Sequence, residues 1–219
     1  RLLREKGHQV FAPDLPGFGS ERAPDKPWPL DDYVNFVLNF AAAQDLNKFI
    51  LLGHSFGGRI GIKFAVRYPE KLSGLILYAA AGIKPERTLW QGFLLAVAKI
   101  GGALFSLPIL RNLTNLMRKL LYALSGNHDY YHANGVMRET MRSVIREDLR
   151  DLLPSIRVPT LILWGSKDTI TPIGDADTMK SSIKNAEYVI LEGKGHSAHK
   201  EDPQQFADVV LSFIAKHAV

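Results

Sequence analysis

The residues with the clearest chemical potential lie in Gly53-His54-Ser55-Phe56-Gly57, where a serine has a glycine two residues to either side. An apolar run over 49–52 precedes this segment, and a helical pattern over 56–68 follows it. A serine at such a strand-to-helix turn is lifted clear of the sheet, and the glycines avoid collisions with the neighbouring strand or helix. The pattern predicts that Ser55 is a nucleophile and that the backbone N–H of Phe56 faces a developing oxyanion.

A serine hydroxyl is a weak nucleophile at neutral pH, so it needs a base that a third group holds in place. Asp168 follows an apolar run over 160–164, and His196 follows a run over 188–191. If these runs are parallel strands, both side chains emerge at the same edge of the sheet as Ser55. The sequence therefore predicts a catalytic set of Ser55, Asp168 and His196.

Other side chains compete for these roles. His199 lies in the same loop as the predicted base and is the alternative base. His54 precedes the serine in a strand, and we expect its side chain to point away from Ser55. Asp175 and Asp177 are typical of a helix surface near an N-terminus, where acidic groups suit the helix dipole.

The composition limits the chemistry further. The chain has 219 residues, 46% of them apolar, and no Cys, which excludes disulfides, a thiolate zinc cluster and a cysteine nucleophile. His128 and His132 have the i,i+4 spacing of zinc ligands, but they lack the Glu of H-E-x-x-H and an obvious third ligand. We therefore predict neither a metal nor a cofactor.

The net charge of +5 is concentrated between residues 83 and 151. Basic segments can attract nucleic acid or lipid surfaces. Here Glu139 and Arg142, like Glu147 and Arg150, have the i,i+3 spacing of pairs that solvate a helix. We expect an ordinary helix surface and no nucleic-acid partner.

Apolar runs and helical patterns alternate along most of the chain, which is typical of an α/β protein with a doubly wound, mostly parallel sheet. The predicted strands are 9–12, 49–52, 75–78, 160–164 and 188–191, and the predicted helices are 30–44, 56–68, 172–183 and 203–217. Helical patterns over 113–124 and 137–149 interrupt this order. We predict a core of residues 1–82 and 158–219 with a helical cap at 83–157.

Together these motifs resemble those of the α/β-hydrolase fold family, of the serine esterase and meta-cleavage-product hydrolase type. The resemblance rests on the segment around Ser55, the loop Asp14 to Ser20, the segment Trp164 to Asp168, and Gly195-His196. It covers essentially the whole chain, and the order serine, aspartate, histidine is that of the family. It implies the α/β-hydrolase fold with a helical cap.

One part of that resemblance is missing. The family has a strand that ends in a His-Gly loop upstream of the first helix, and this loop donates the second oxyanion N–H. No such segment precedes the helix predicted at 30–44, and the chain begins with Arg1 rather than Met. We therefore expect the natural gene to encode further N-terminal residues, and the chain as it stands could be inactive.

The predicted reaction is hydrolysis of a carboxylic ester of a small or medium apolar substrate, since a cap rich in Leu and Met lines an apolar pocket. Hydrolysis of a C–C bond by the same residues and a non-catalytic ligand-binding module are the alternatives. The apolar stretch at 89–107 and the basic cap also allow a lid-gated lipase at membrane surfaces, although Lys99 argues against a span. The expected location is cytoplasmic.

Overall fold

The computed structural model of the protein describes residues 1–84 and 135–217. The chain divides into two compact units, Arg1–Lys84 with Asn134–Val219, and Pro85–Ala133. The helix predicted over 113–124 lies outside the described residues. The second helix of the predicted cap, at 136–146, belongs to the unit that carries the sheet. The cap at 83–157 stays a prediction.

A sheet of four parallel strands organises the described residues. In chain order, which is also the order across the sheet, the strands are β1 (Phe49–His54), β2 (Leu72–Tyr78), β3 (Thr160–Gly165) and β4 (Ala186–Leu191). The last residues of neighbouring strands pair in register: His54 lies opposite Tyr78, and Gly165 lies opposite Leu191. The carboxyl ends of the strands therefore meet at one edge, where α/β proteins place their sites.

Helices connect the strands. They are α1 (Leu2–Glu5), α2 (Leu30–Ala43), α3 (Phe56–Arg67), α4 (Val136–Arg146), α5 (Ile173–Ser182), α6 (Ala198–Glu201) and α7 (Pro203–His217), with 3₁₀ helices at Pro69–Lys71 and Arg150–Ser155. Asp31 and Asp32 lie in the first turn of α2, and Pro203 begins α7, where its missing N–H costs nothing. Among the described residues, no helix is long and apolar enough to cross a membrane.

Helices cover both faces of the sheet, and the packing of β2 shows how. Alternate residues of a strand point to opposite faces. A Cβ built at Gly61 of α3 would lie 3.1 Å from Leu75, whereas one built at Gly74 would lie 2.8 Å from Phe213 of α7. Because Leu75 and Gly74 are adjacent, α3 and α7 lie on opposite faces, and β2 is buried along its whole length. The α/β fold with a parallel sheet is thus confirmed.

The strand predicted over 9–12 is wrong, because the structure assigns no strand to these residues. Phe11 packs edge-on against Phe40 of α2, with ring centroids 6.0 Å apart, and the Arg4 side chain donates to the Val10 carbonyl at 2.7 Å. Residues 9–12 are exposed or half-buried, and the periodicity of so short an apolar run does not distinguish a strand from an irregular segment that packs on a helix.

Charged side chains join α3 to α4. Arg59 is only 5% exposed and donates to the carbonyls of Val144 at 3.1 Å and Glu147 at 2.7 Å, which lie at the end of α4. Lys63 pairs with Asp31 of α2 and with Glu147, at 2.6 Å from the latter carboxylate. The carbonyls at a helix end have no partner within the helix, so Arg59 supplies what the end of α4 lacks. Glu147, one of the acidic residues of the segment at 83–151, therefore pairs with a side chain of α3.

Candidate active site

The turn between β1 and α3 holds Ser55 in an unusual backbone conformation, with φ 51° and ψ −113°. Such a conformation costs a residue other than Gly about 1–3 kcal/mol, so the surroundings must impose it. The Ser55 N–H donates to the Tyr78 carbonyl at 3.2 Å, and the Ser55 carbonyl accepts from the N–H groups of Gly58 and Ala81, both at 2.9 Å. The last residue of β2 and the segment after it therefore bond to both the N–H and the carbonyl of Ser55.

Close backbone packing explains the glycines of this turn, but not as the sequence predicts. A Cβ built at Gly53 would lie closer than 3.0 Å to the carbonyl oxygen of Gly57, and one built at Gly58 would lie equally close to Ala80. At Gly57, no described heavy atom would lie within 4 Å. The prediction that both flanking glycines prevent a collision is right for Gly53 and wrong for Gly57, because α3 approaches β2 at Gly58 instead.

Phe56 is the first residue of α3, so its N–H has no carbonyl partner within the helix. Its ring lies 5.2 Å from that of Phe18 and 5.1 Å from that of Tyr33. Tyr33 is buried, which raises its pKa to about 12, and its hydroxyl donates to the Pro16 carbonyl at 3.1 Å. An aromatic cluster thus joins the loop at 14–20 to the residue after Ser55.

The structure brings two of the predicted site residues into direct contact. His196 Nδ1 lies 2.8 Å from Asp168 Oδ2, and the two side chains are 13% and 0% exposed. Because an ionised carboxylate only accepts, Nδ1 carries the proton of this hydrogen bond. His196 therefore keeps Nε2 as the nitrogen that can receive a proton.

Hydrogen bonds keep the Asp168 carboxylate charged. Burial alone would raise its pKa, but hydrogen bonds from His196, from the Thr171 backbone and hydroxyl, and from the Ile170 N–H outweigh this effect and lower it. The Ile170 and Thr171 N–H groups reach Oδ1 at 2.8 and 3.0 Å, and the Thr171 hydroxyl reaches Oδ2 at 2.8 Å. An anion held in this way stabilises a positive charge on His196.

The loop after β4 reaches His196 by crossing the end of β3. A Cβ built at Gly165 would lie closer than 3.0 Å to the carbonyl oxygens of Lys194 and Gly195. The Lys167 N–H donates to the Lys194 carbonyl at 2.8 Å, and the Gly195 N–H lies 3.1 Å from both carboxylate oxygens of Glu201. The loop is therefore attached to the loop after β3 and to α6.

Three side chains outside the predicted catalytic set form a cluster next to His196. His54 Nε2 is 2.9 Å, and the Tyr78 hydroxyl 3.0 Å, from the His196 carbonyl oxygen. His199, the alternative base, has its Nδ1 3.2 Å from the Tyr78 hydroxyl, whereas Asp168 contacts His196. Pairing of β1 with β2 aligns His54 with Tyr78, and no spacing along the sequence reveals this alignment.

The remaining candidate residues lie elsewhere. Asp175, in the first turn of α5, is partly buried, and burial raises its pKa to about 6. Asp177 accepts from the Tyr188 hydroxyl at 2.7 Å. His128 and His132 lie outside the described residues, and within those residues no cluster of His, Cys, Asp or Glu could hold a metal ion.

Comparison with known proteins shows which family the fold belongs to. Residues 1–203 match the model of the α/β-hydrolase fold family. The chain belongs to that family. The resemblance stated from the motifs is therefore confirmed.

Three similar proteins illustrate the range of the family. A 2-hydroxymuconate semialdehyde hydrolase of Pseudomonas sp. is 29% identical, with 96% of this chain and 78% of the relative aligned. A monoacylglycerol lipase of Homo sapiens is 26% identical, with 98% and 69% aligned. The crystal structure of a hydrolase from Pseudomonas aeruginosa has 25% identity and a TM-score of 0.66, covering 92% of this chain and 77% of that one. These relatives are hydrolases.

Proposed function

We propose that this α/β-hydrolase is a serine hydrolase that cleaves a carboxylic ester of a small or medium apolar substrate. The observation that carries the proposal is the buried hydrogen bond between His196 and Asp168, at the sheet edge where Ser55 occupies a strained turn. A neutral imidazole oriented by a carboxylate is the base that a serine nucleophile requires.

The proposed reaction has two halves. Ser55 Oγ attacks the ester carbonyl while His196 Nε2 takes the hydroxyl proton, and Asp168 stabilises the resulting imidazolium. The Phe56 N–H donates to the oxyanion of the tetrahedral intermediate. The C–O bond to the alcohol then breaks, and His196 returns its proton to the alcohol. Water repeats the same steps on the acyl-enzyme and releases the acid and free Ser55.

The aromatic cluster supports an apolar substrate. Phe18 and Tyr33 pack on Phe56, the residue next to the nucleophile, and Trp28 packs on Tyr33, with ring separations between 5.1 and 6.3 Å. Aromatic walls with a few polar groups are typical of sites that bind small apolar molecules. The similarity to a monoacylglycerol lipase, whose name states a lipid ester, points the same way.

Hydrolysis of a C–C bond is the second candidate. It is favoured by the similarity to 2-hydroxymuconate semialdehyde hydrolase, and it would use the same three side chains. Turnover of a p-nitrophenyl ester series should be compared with turnover of a vinylogous β-diketone. A preference for the diketone would replace the ester proposal with this one.

A fluorophosphonate probe tests the serine mechanism. We expect the purified protein to form an adduct on Ser55, and Ser55→Ala to lose both the adduct and at least about 10³-fold of ester turnover. Ser181→Ala is the matched control, because Ser181 lies on the exposed surface of α5 and donates to the Thr178 carbonyl at 3.0 Å. A wild-type protein that forms no adduct, or an adduct that persists in Ser55→Ala, contradicts the proposal.

A further inference from the structure

The rings of His54, Tyr78 and His199 form a cluster next to His196, and none of them has a role in the proposed reaction. The His54 ring stacks on Tyr78 with centroids 4.5 Å apart and planes 20° apart, and it lies 4.7 Å from the His196 ring. His199 lies edge-on to Tyr78 at 5.6 Å. Such a group of hydrogen-bonding rings between strand ends and a loop needs an explanation.

Two of these side chains meet at one atom. His54 Nε2 and the Tyr78 hydroxyl lie 2.9 and 3.0 Å from the backbone carbonyl oxygen of His196. A carbonyl oxygen only accepts hydrogen bonds and has two lone pairs, so each side chain can donate to one of them. The His196 residue is then held at its ring by Asp168 and at its backbone by two further donors.

The protonation of His54 agrees with a donor role. Because the carbonyl only accepts, Nε2 carries the proton. Burial lowers the pKa of His54 to about 4, so the ring is neutral near pH 7 and adds no positive charge beside His196. A neutral donor can hold the carbonyl without opposing an imidazolium on the neighbouring ring.

Tyr78 extends the contact to the next helix. Its single hydroxyl proton goes to the His196 carbonyl, and its oxygen accepts from the His199 N–H at 3.2 Å. His196 itself follows the exposed Gly193, whose φ of 74° is one that side-chain-bearing residues rarely adopt. The loop between Gly193 and α6 has these contacts in addition to those of Lys194 with Lys167 and of Gly195 with Glu201.

We propose that His54 and Tyr78 are positioning residues that hold the His196 carbonyl and so keep the imidazole aligned between Asp168 and Ser55. This inference rests on the proposed role of His196 as the base. The two strand ends that hold the carbonyl are those that hold the serine turn, because Ser55 follows His54 and donates to Tyr78. The ends of β1 and β2 therefore position both the proposed nucleophile and the proposed base.

Three variants distinguish the effect of the hydrogen-bond donors from the effect of the stacked rings. Tyr78→Phe removes only the hydroxyl, His54→Phe keeps a stacked ring without a donor, and His54→Gln keeps an N–H group. We expect Tyr78→Phe and His54→Phe each to lower kcat for a p-nitrophenyl ester, and the rate of fluorophosphonate labelling, by about 3- to 10-fold. KM should stay unchanged, because neither side chain is expected to touch substrate. His54→Gln should recover most of the loss.

Matched controls and a stability measurement complete the test. Tyr68→Phe, at the opposite end of α3 from Ser55, and His217→Phe, which pairs with Glu187 near the start of β4, should leave both rates unchanged. Thermal unfolding of each variant shows whether it is folded at the assay temperature.

The outcomes distinguish this inference from the proposed function. Absence of an adduct in the wild-type protein would overturn both. A labelled wild-type protein with equally fast His54→Phe and Tyr78→Phe variants would overturn only the positioning role. A loss of rate that follows the unfolded fraction, with no recovery in His54→Gln, would also overturn it, since that result indicates stability alone.

Discussion

The turn that carries Ser55 and the loop that carries His196 lie at the same edge of the sheet, but they are held over different distances along the chain. The turn is closed by its own neighbours and by one segment further along the chain: Gly53 packs on Gly57, the Gly58 N–H donates to the Ser55 carbonyl at 2.9 Å, and Ser55 also bonds to Tyr78 and Ala81, 23 and 26 residues away. His196 is held by Asp168, Tyr78 and His54, which are 28, 118 and 142 residues away.

This difference has a mechanical consequence. Backbone packed on backbone between a strand and the first turn of a helix cannot move without disturbing the sheet. A loop whose tip, Glu192 and Gly193, is exposed can shift more readily, and its side chain then loses alignment before the fold loses stability. Perturbing the turn should therefore reduce stability most, whereas perturbing the loop should reduce activity most.

The largest expected effect on stability comes from Gly53→Ala. The added Cβ would lie closer than 3.0 Å to backbone atoms of Gly57 and Gly58, so the turn must move against the sheet. We expect a loss of about 3 kcal/mol in the free energy of unfolding, measured by urea denaturation. Gly57→Ala is the control within the same motif, and it should change stability by about 0.5 kcal/mol or less. Equal stability of the two variants would contradict the comparison.

A smaller loss of stability with a larger loss of activity is expected for Gly165→Ala. The new Cβ meets the carbonyl oxygens of Lys194 and Gly195, which belong to a loop that can shift. We expect about 1–2 kcal/mol of destabilisation but at least about 10²-fold slower fluorophosphonate labelling, because small misplacements of a catalytic group are costly. Gly174→Ala, where no described atom would lie within 4 Å of the Cβ, is the control. Destabilisation without slower labelling would show that the loop does not position the base.

The smallest expected effect is a pH dependence of stability from His54. Burial lowers its pKa from 6.5 to about 4, so between these values the unfolded chain binds more protons than the folded one. Stability from this group is present above pH 6.5 and is lost as the pH falls toward 4. Because the ring is only partly buried, we expect about 1–2 kcal/mol over this range.

Urea denaturation of the wild type and of His54→Phe at several pH values measures this contribution. Burial raises the pKa of Asp175 to about 6, so Asp175 contributes in the opposite direction, with stability lost as the pH rises from 3.8 to 6. Both proteins contain Asp175, and its effect cancels in their difference. A difference in stability that is the same at pH 4 and pH 7 would show that His54 is not held neutral in the folded protein.

The predicted strands and helices that the structure contains are those that local sequence patterns specify. Four of the predicted strands and the helices predicted at 56–68, 172–183 and 203–217 carry their hydrophobic period and turn residues within a few positions. The four strands are those predicted at 49–52, 75–78, 160–164 and 188–191. β2 begins three residues before its predicted start, at Leu72. The strand predicted at 9–12 is absent, and the half-buried Phe11 instead packs against Phe40 of α2, a contact that no local pattern encodes.

The sequence by itself determined the four strands of the described sheet, helices α2, α3, α4, α5 and α7, the family and the three side chains proposed for the reaction, because these depend on local periodicity and on residues at strand ends. Only the tertiary structure decided that Gly58 rather than Gly57 makes the close approach, that His196 rather than His199 meets Asp168, and that His54 and Tyr78 meet at the His196 carbonyl. Each of these facts depends on the register and packing of segments far apart in the chain, which no spacing along the sequence specifies.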